Sequence, residues 1–159
     1  MTPDDATGGG GAPPVGTWLH RDLLLDAAAI GAGASLVRDR NPLHHDAAFA
    51  ATTRFGGLIA SGAHTSALLA GLISDLLTEG GYGPAVGVEY RVRFLRPVHV
   101  DRRMRMEWVV TGSDPAQSGD LVRLSGRIVD AQDGRVALSG EMTCLFFRHP
   151  APSQAGDRP

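Results

Sequence analysis

The sequence predicts an α+β protein in which one antiparallel sheet wraps around one central helix. Three observations predict it. Between Gly62 and Thr78, the residues Ala63, Ala67, Leu68, Ala70, Leu72, Ile73, Leu76 and Leu77 cover well over half of a helix circumference, the breadth of a helix enclosed by protein. After Gly83 the period changes to two, in long runs alternating apolar with charged residues. Asp133-Gly134 joins two of these runs as a hairpin turn. One buried helix followed by a meander of long strands implies a sheet curved around that helix.

Taken in order, residues 1–14 (Met-Thr-Pro-Asp-Asp-Ala-Thr, four glycines, Ala-Pro-Pro) have nothing to bury and are expected to be disordered, as are residues 149–159. The domain is expected over 15–148. Val15 to His20 reads as a first strand. Asp22 to Ile30 reads as a helix with Leu23, Leu24, Ala27 and Ala28 on one face, broken by Gly31 and Gly33. Asp46 is placed as the N-cap of a short helix from Ala47 to Arg54, ended by Gly56-Gly57. Ser61 is a possible cap for the central helix, which Gly80-Gly81 ends. Val88, Tyr90, Val92 and Phe94 then form a half-buried strand, with Pro97 at its end. Met104, Met106, Trp108 and Val110 mark a second strand. A loop over 114–120 leads to a third from Leu121 to Val129, and the last runs from Val136 to Phe147.

A chain of 159 residues is one domain by size, long enough for a real core. Its net charge of -2 leaves no basic excess to neutralise phosphates, which argues against general nucleic-acid binding. The single cysteine, Cys144, cannot form an internal disulfide and has no metal-site partners; it lies in an apolar alternating run and is expected to be buried. No run approaches membrane-spanning length and no basic region precedes an apolar block, so a cytoplasmic protein without membrane partners is expected.

Chemistry concentrates in the stretch from Val37 to Leu77, whose first half reads Arg38-Asp39-Arg40-Asn41-Pro42-Leu43-His44-His45-Asp46. Pro42 removes an amide donor and pushes Asn41 away from helical dihedrals, so Asp39 and His44 cannot share a regular helix face. They sit on a rigid turn, from which a carboxylate and an imidazole can converge on one small molecule and activate water. Taken alone, the string also reads as a capped turn beside an ordinary histidine. With Ala50, Phe55, Ile59-Ala60 and Gly62 following in order, however, it resembles the signature of the MaoC-like dehydratases, a family that includes the (R)-specific enoyl-CoA hydratases.

That resemblance implies the hot-dog fold. It also implies a hydro-lyase that reversibly adds water to a trans-2-enoyl thioester, on coenzyme A or an acyl carrier protein, to give an (R)-3-hydroxyacyl thioester. By the same resemblance Asp39 is the base, raised toward neutrality by burial in a tunnel, and His44 positions the water and shares its proton. The amide of Gly62, at the positive end of the central helix, meets charge on the thioester oxygen; Gly62 also reads as a simple helix-start glycine. Asn41, which fixes the turn, together with Ser61, Arg96 and Arg103, are the substrate-binding candidates. No metal is expected, and no cofactor beyond the coenzyme A or phosphopantetheine of the substrate.

Two positions depart from the family pattern. Arg38 stands where many members have glycine, and would lower the Asp39 pKa if it paired with it. Ser61 stands where many have histidine, and is expected to alter the pocket mouth. His45 and His64 are read as structural, and His99, near a strand end, is given no role. Arg91, Arg93, Arg96, Arg102, Arg103 and Arg105 are expected on two neighbouring strands, as a solvated face or a landing surface for substrate phosphates. Exposed sheet edges and a poorly covered helix flank imply a homodimer or a dimer of dimers. Two further functions stay open: a hot-dog thioesterase, and a non-catalytic acyl-binding partner in a hetero-oligomer.

Overall fold

The computed structural model describes residues 11–147. The expected disordered tails fall largely on 1–10 and 148–159, outside the described residues. The packed chain begins before Val15, however. Pro13 is buried, Ala12 packs on the core, and Gly83 N donates to Gly11 O at 3.0 Å. A proline ring is apolar and has no N–H to satisfy, so it can be buried beside a glycine-rich run.

Strand β1 (Trp18–Leu24) and helix α1 (Ala27–Leu36) replace the helix expected over Asp22–Ile30. Leu23 and Leu24 belong to the strand and pair with Met104 and Arg103. Asp26 starts α1, its carboxylate accepting from Ala29 N at 2.7 Å. The helix runs through Gly31 and Gly33 instead of breaking there. At Gly33 the glycine serves close packing, because a Cβ would overlap the His64 ring of the central helix.

One turn of 3-10 helix, Pro42–His44, leads to α2 (Ala47–Thr52). Asp46 caps α2 as expected, accepting from Phe49 N at 2.9 Å. The helix stops short of Arg54, where Thr53 Oγ1 donates to Ala50 O at 2.7 Å.

The central helix is two segments, α3 (Gly62–Gly71) and α4 (Ser74–Thr78), not one. Ile73 N donates to Ala70 O at 3.2 Å, three residues back, which leaves Leu69 O without its usual helical donor. The buried Trp108 Nε1 donates to that carbonyl at 2.7 Å. Tyr90 Oη adds a second tie, donating to Ser66 O at 2.9 Å.

Strands β2 (Ala85–Phe94), β3 (Arg103–Ala116), β4 (Gly119–Asp130) and β5 (Val136–Phe147) complete a five-stranded sheet of order β1-β3-β4-β5-β2, every neighbouring pair antiparallel. The expected loop over 114–120 is mostly strand: Asp114 pairs with Leu121 and Pro115 with Asp120, leaving a tight turn at Gln117-Ser118. Asp133-Gly134 forms the expected hairpin turn, with Gly134 at φ 71°. Met104, Met106, Trp108 and Val110 face Leu69, Leu72, Ile73 and Leu76 in one core. The Trp108 ring lies over Gly126, where a Cβ would collide with it, and Cys144 is buried as expected.

Two surfaces are more open than the sequence implies. Edge strand β2 leaves Val86, Val88 and Phe94 49%, 59% and 60% exposed, and α3 presents Ala63 and Ala67 to solvent instead of being enclosed. Among the described residues, no helix is long and apolar enough to cross a membrane.

Candidate active site

The turn after α1 brings Asp39 and His44 together. Arg38 occupies left-handed backbone at φ 58°, a conformation glycine adopts without strain, and so reverses the chain out of α1. Asp39 N then returns to Ala34 O at 2.8 Å. Asn41 N donates to Asp39 Oδ1 at 3.1 Å, and Asn41 Oδ1 accepts from Leu43 N at 3.1 Å. Pro42 opens the 3-10 turn that carries His44 inward, and His45 Nε2 bonds Asp39 O at 2.7 Å. His44 Nε2 ends 3.2 Å from Asp39 Oδ2, with the His44 side chain 7% exposed and that of Asp39 31%.

The proton on His44 follows from its partners. Nδ1 lies 2.7 Å from Ile59 O, and a carbonyl only accepts, so Nδ1 carries hydrogen. In the neutral ring Nε2 is then unprotonated and faces the carboxylate, two acceptors side by side. Such a pair is poised to hold one proton between them or to take one from water.

Asp39 departs from expectation in its electrostatics. Its pKa is lowered, first by the Ser61 hydroxyl, which donates to Oδ2 at 2.7 Å, and then by the Asn41 amide; desolvation pulls the other way. Burial was expected to raise it, but the carboxylate is too exposed and too well supplied with donors for desolvation to win. Arg38 forms no ion pair with it among the described residues. Ser61 is fully buried between Ala60 and Gly62, which line the groove beside His44 while Ser61 itself does not, and it forms no side-chain cap on α3.

His44 opens onto a groove of ≈ 340 Å³, lined among others by Asn41, Phe55, Gly62, Phe94 and Arg96. Asp39 lines a separate hollow with Arg38, Arg40 and His45, so the catalytic candidates stand at a partition between two cavities. Gly62 is the first residue of α3, and its N–H has no acceptor within the helix. A Cβ there would lie 2.9 Å from the Phe94 ring. His99 forms a β-bridge to Ile59, a residue of the groove lining.

Of the six arginines, Arg96 alone lines this groove. Strands β2 and β3 are separated by β4 and β5, so the expected continuous cluster does not form. Arg91 pairs with Glu89, Arg102 with Asp130, and Arg105 with Asp22, while Arg103 lies on β3 opposite Leu24, away from the groove. Sequence reasoning missed Phe94 and Leu95 as groove walls and the Ile59 carbonyl as the partner of His44. A main-chain carbonyl leaves no mark in residue type.

Residues 25–130 match the family model described as MaoC like domain. The chain is 35% identical over 127 residues to the (R)-specific enoyl-CoA hydratase of Aeromonas caviae, covering 80% of this chain and 90% of the relative. The solved (R)-hydratase from A. caviae involved in PHA biosynthesis superposes with a TM-score of 0.75 at 30% identity, over 85% of this chain and 98% of that one. The unliganded R-hydratase PhaJ1 from Pseudomonas aeruginosa gives 0.75 at 27% identity, over 92% and 90%.

Proposed function

This chain belongs to the MaoC-like domain family, and on that premise we propose that it is a hot-dog hydro-lyase adding water reversibly to a trans-2-enoyl thioester, giving an (R)-3-hydroxyacyl thioester. The observation that carries the reading is the 3.2 Å approach of Asp39 Oδ2 to His44 Nε2, with His44 on the wall of a partly apolar groove.

Asp39 and His44 are the catalytic residues. Water bound against both acceptor atoms gives up a proton to the pair as its oxygen attacks the β-carbon. The π electrons move through the α-carbon onto the thioester oxygen. The same proton returns to the α-carbon on the same face, so the addition is syn and the pair is regenerated. Negative charge on the oxygen is met by Gly62 N–H, where the unsatisfied amides and dipole of α3 favour an anion. Asn41 keeps the turn rigid, and Arg96 at the groove rim meets the anionic carrier portion, coenzyme A or phosphopantetheine; Ser61 and Arg103 are not among the residues lining the groove. No metal or redox cofactor enters this scheme. Cytoplasmic location and a place in fatty acid metabolism are part of the same proposal.

A second copy of the chain belongs to it too. Val86 and Val88 are exposed on the β2 edge, and Phe94 and Leu95 are at once exposed and part of the groove wall. Pairing through β2 in a homodimer, or a dimer of dimers, would convert the open groove into an enclosed acyl channel.

The test is turnover of crotonyl-CoA and longer enoyl thioesters, following loss of enoyl absorbance and free thiol separately. Asp39→Asn and His44→Ala should each lower kcat by about 10²- to 10⁴-fold, the range of one general acid–base group. Wild-type turnover in both variants removes the mechanism, and release of thiol turns the reading to hydrolysis.

A further inference from the structure

The strip Ile59–Ser61 touches both catalytic residues, by different atoms. Ile59 O holds His44 Nδ1 and Ser61 Oγ holds Asp39 Oδ2, each at 2.7 Å. The strip is itself fixed: Ile59 N donates to Leu43 O at 3.2 Å and Ala60 N to Val98 O at 2.8 Å. Ser61 occupies the N-cap position of α3, where a serine oxygen ordinarily accepts from an amide of the first turn. Here it makes no such bond. Its carbonyl serves the helix, accepting from Thr65 N at 3.0 Å, while its fully buried hydroxyl points back to Asp39. A cap bond worth stability to the helix is thus absent, and the donor is committed to the catalytic carboxylate.

We propose that Ser61 is a positioning residue of the reaction, holding Asp39 in the rotamer that meets His44 so that the two act as one acceptor for the proton of water. This rests on the hydro-lyase reading above. Oδ1 is already occupied by Asn41 N–H, so Ser61 and His44 share Oδ2, and the three contacts leave the carboxylate one orientation. Without the hydroxyl, the partly exposed side chain, which already borders the hollow lined by Arg38, Arg40 and His45, is free to turn further into it and away from His44. The charged groups around Asp39 are then His44, Arg38, Arg40, His45 and Asp46; none of them replaces a buried neutral donor.

The sign of the pH effect is fixed. A hydroxyl that donates to the carboxylate favours its charged form, and the base must be charged to act. Removing that donor therefore moves the acid limb of kcat/KM to higher pH. The experiment compares full pH profiles of kcat/KM and kcat for crotonyl-CoA hydration in the wild type, Ser61→Ala and Asp39→Asn, with thermal melts of each. Ser61→Ala removes one atom from a packed site. It is expected to fold, to lose on the order of tenfold in kcat, the factor of one charge-assisted hydrogen bond, to keep KM nearly unchanged, and to show the shifted limb. An acid limb coincident with wild type, in a background where Asp39→Asn is inactive, overturns the role of Ser61 and leaves the hydro-lyase intact. Full activity of Asp39→Asn overturns both.

Discussion

At the residue scale, two groups from the same short turn converge because the turn is tied at several points. Asn41 caps, Pro42 sets a dihedral, and His45 ties back to the Asp39 carbonyl. This local arrangement was legible in the sequence, since a turn of this length fixes its own geometry. The Ser61 hydroxyl, 22 positions away, was not: its residue type fits a helix cap equally well, and only the fold turns it toward Asp39. The same applies to Gly33, which reads as a helix breaker until the His64 ring is found against it. Gly33→Ala weighs two effects. Alanine improves helix propensity by about 1 kcal/mol, but the added carbon overlaps several atoms of a packed ring, at about 1–3 kcal/mol. Net destabilisation is expected, read as a lower midpoint in urea with an unchanged slope.

At the scale of elements, the interruption between α3 and α4 links helix to sheet. The tightened bond of Ile73 frees Leu69 O, and Trp108 of β3 takes it from within the core. Sequence overstated the breadth of the buried face, counting the exposed Ala63 and Ala67, and did not show the break, because Leu72 and Ile73 continue the helical pattern; the freed carbonyl is met by a tertiary donor. Trp108→Phe keeps most of the ring and deletes the N–H. It should cost about 1–3 kcal/mol, the range for leaving a buried acceptor unmet, measured by chemical denaturation. A change under 0.5 kcal/mol, roughly the scale of a neutral surface substitution, would mean that Leu69 O recovers a helical donor. The arginines teach the converse. Adjacent in sequence pattern, β2 and β3 are parted by two strands, so charges that read as one cluster lie at different places.

For the whole molecule, the open side is the informative one. The apolar residues of β2 are exposed in the single chain, and its end forms one wall of the groove next to His44. In the proposed dimer, assembly and catalysis therefore meet on the same strand. Val88, at a register shift against β5, lies outside the groove lining, so Val88→Lys tests assembly with the Asp39–His44 turn left intact. It should shift the protein toward monomer in size-exclusion chromatography with light scattering, and activity should fall with the dimer fraction. A Val88→Lys protein that stays dimeric places the interface elsewhere.

By itself the sequence determined the hairpin meander, the buried helical stripe and the Asp39–His44 turn, because periodicity and short-range turn chemistry act between near neighbours. Tertiary structure alone decided strand order, the break in the central helix, and which hydroxyl and which carbonyl hold the Asp39–His44 pair. Those depend on groups far apart along the chain meeting in space, and a donor's identity does not disclose which distant acceptor the fold will bring to it.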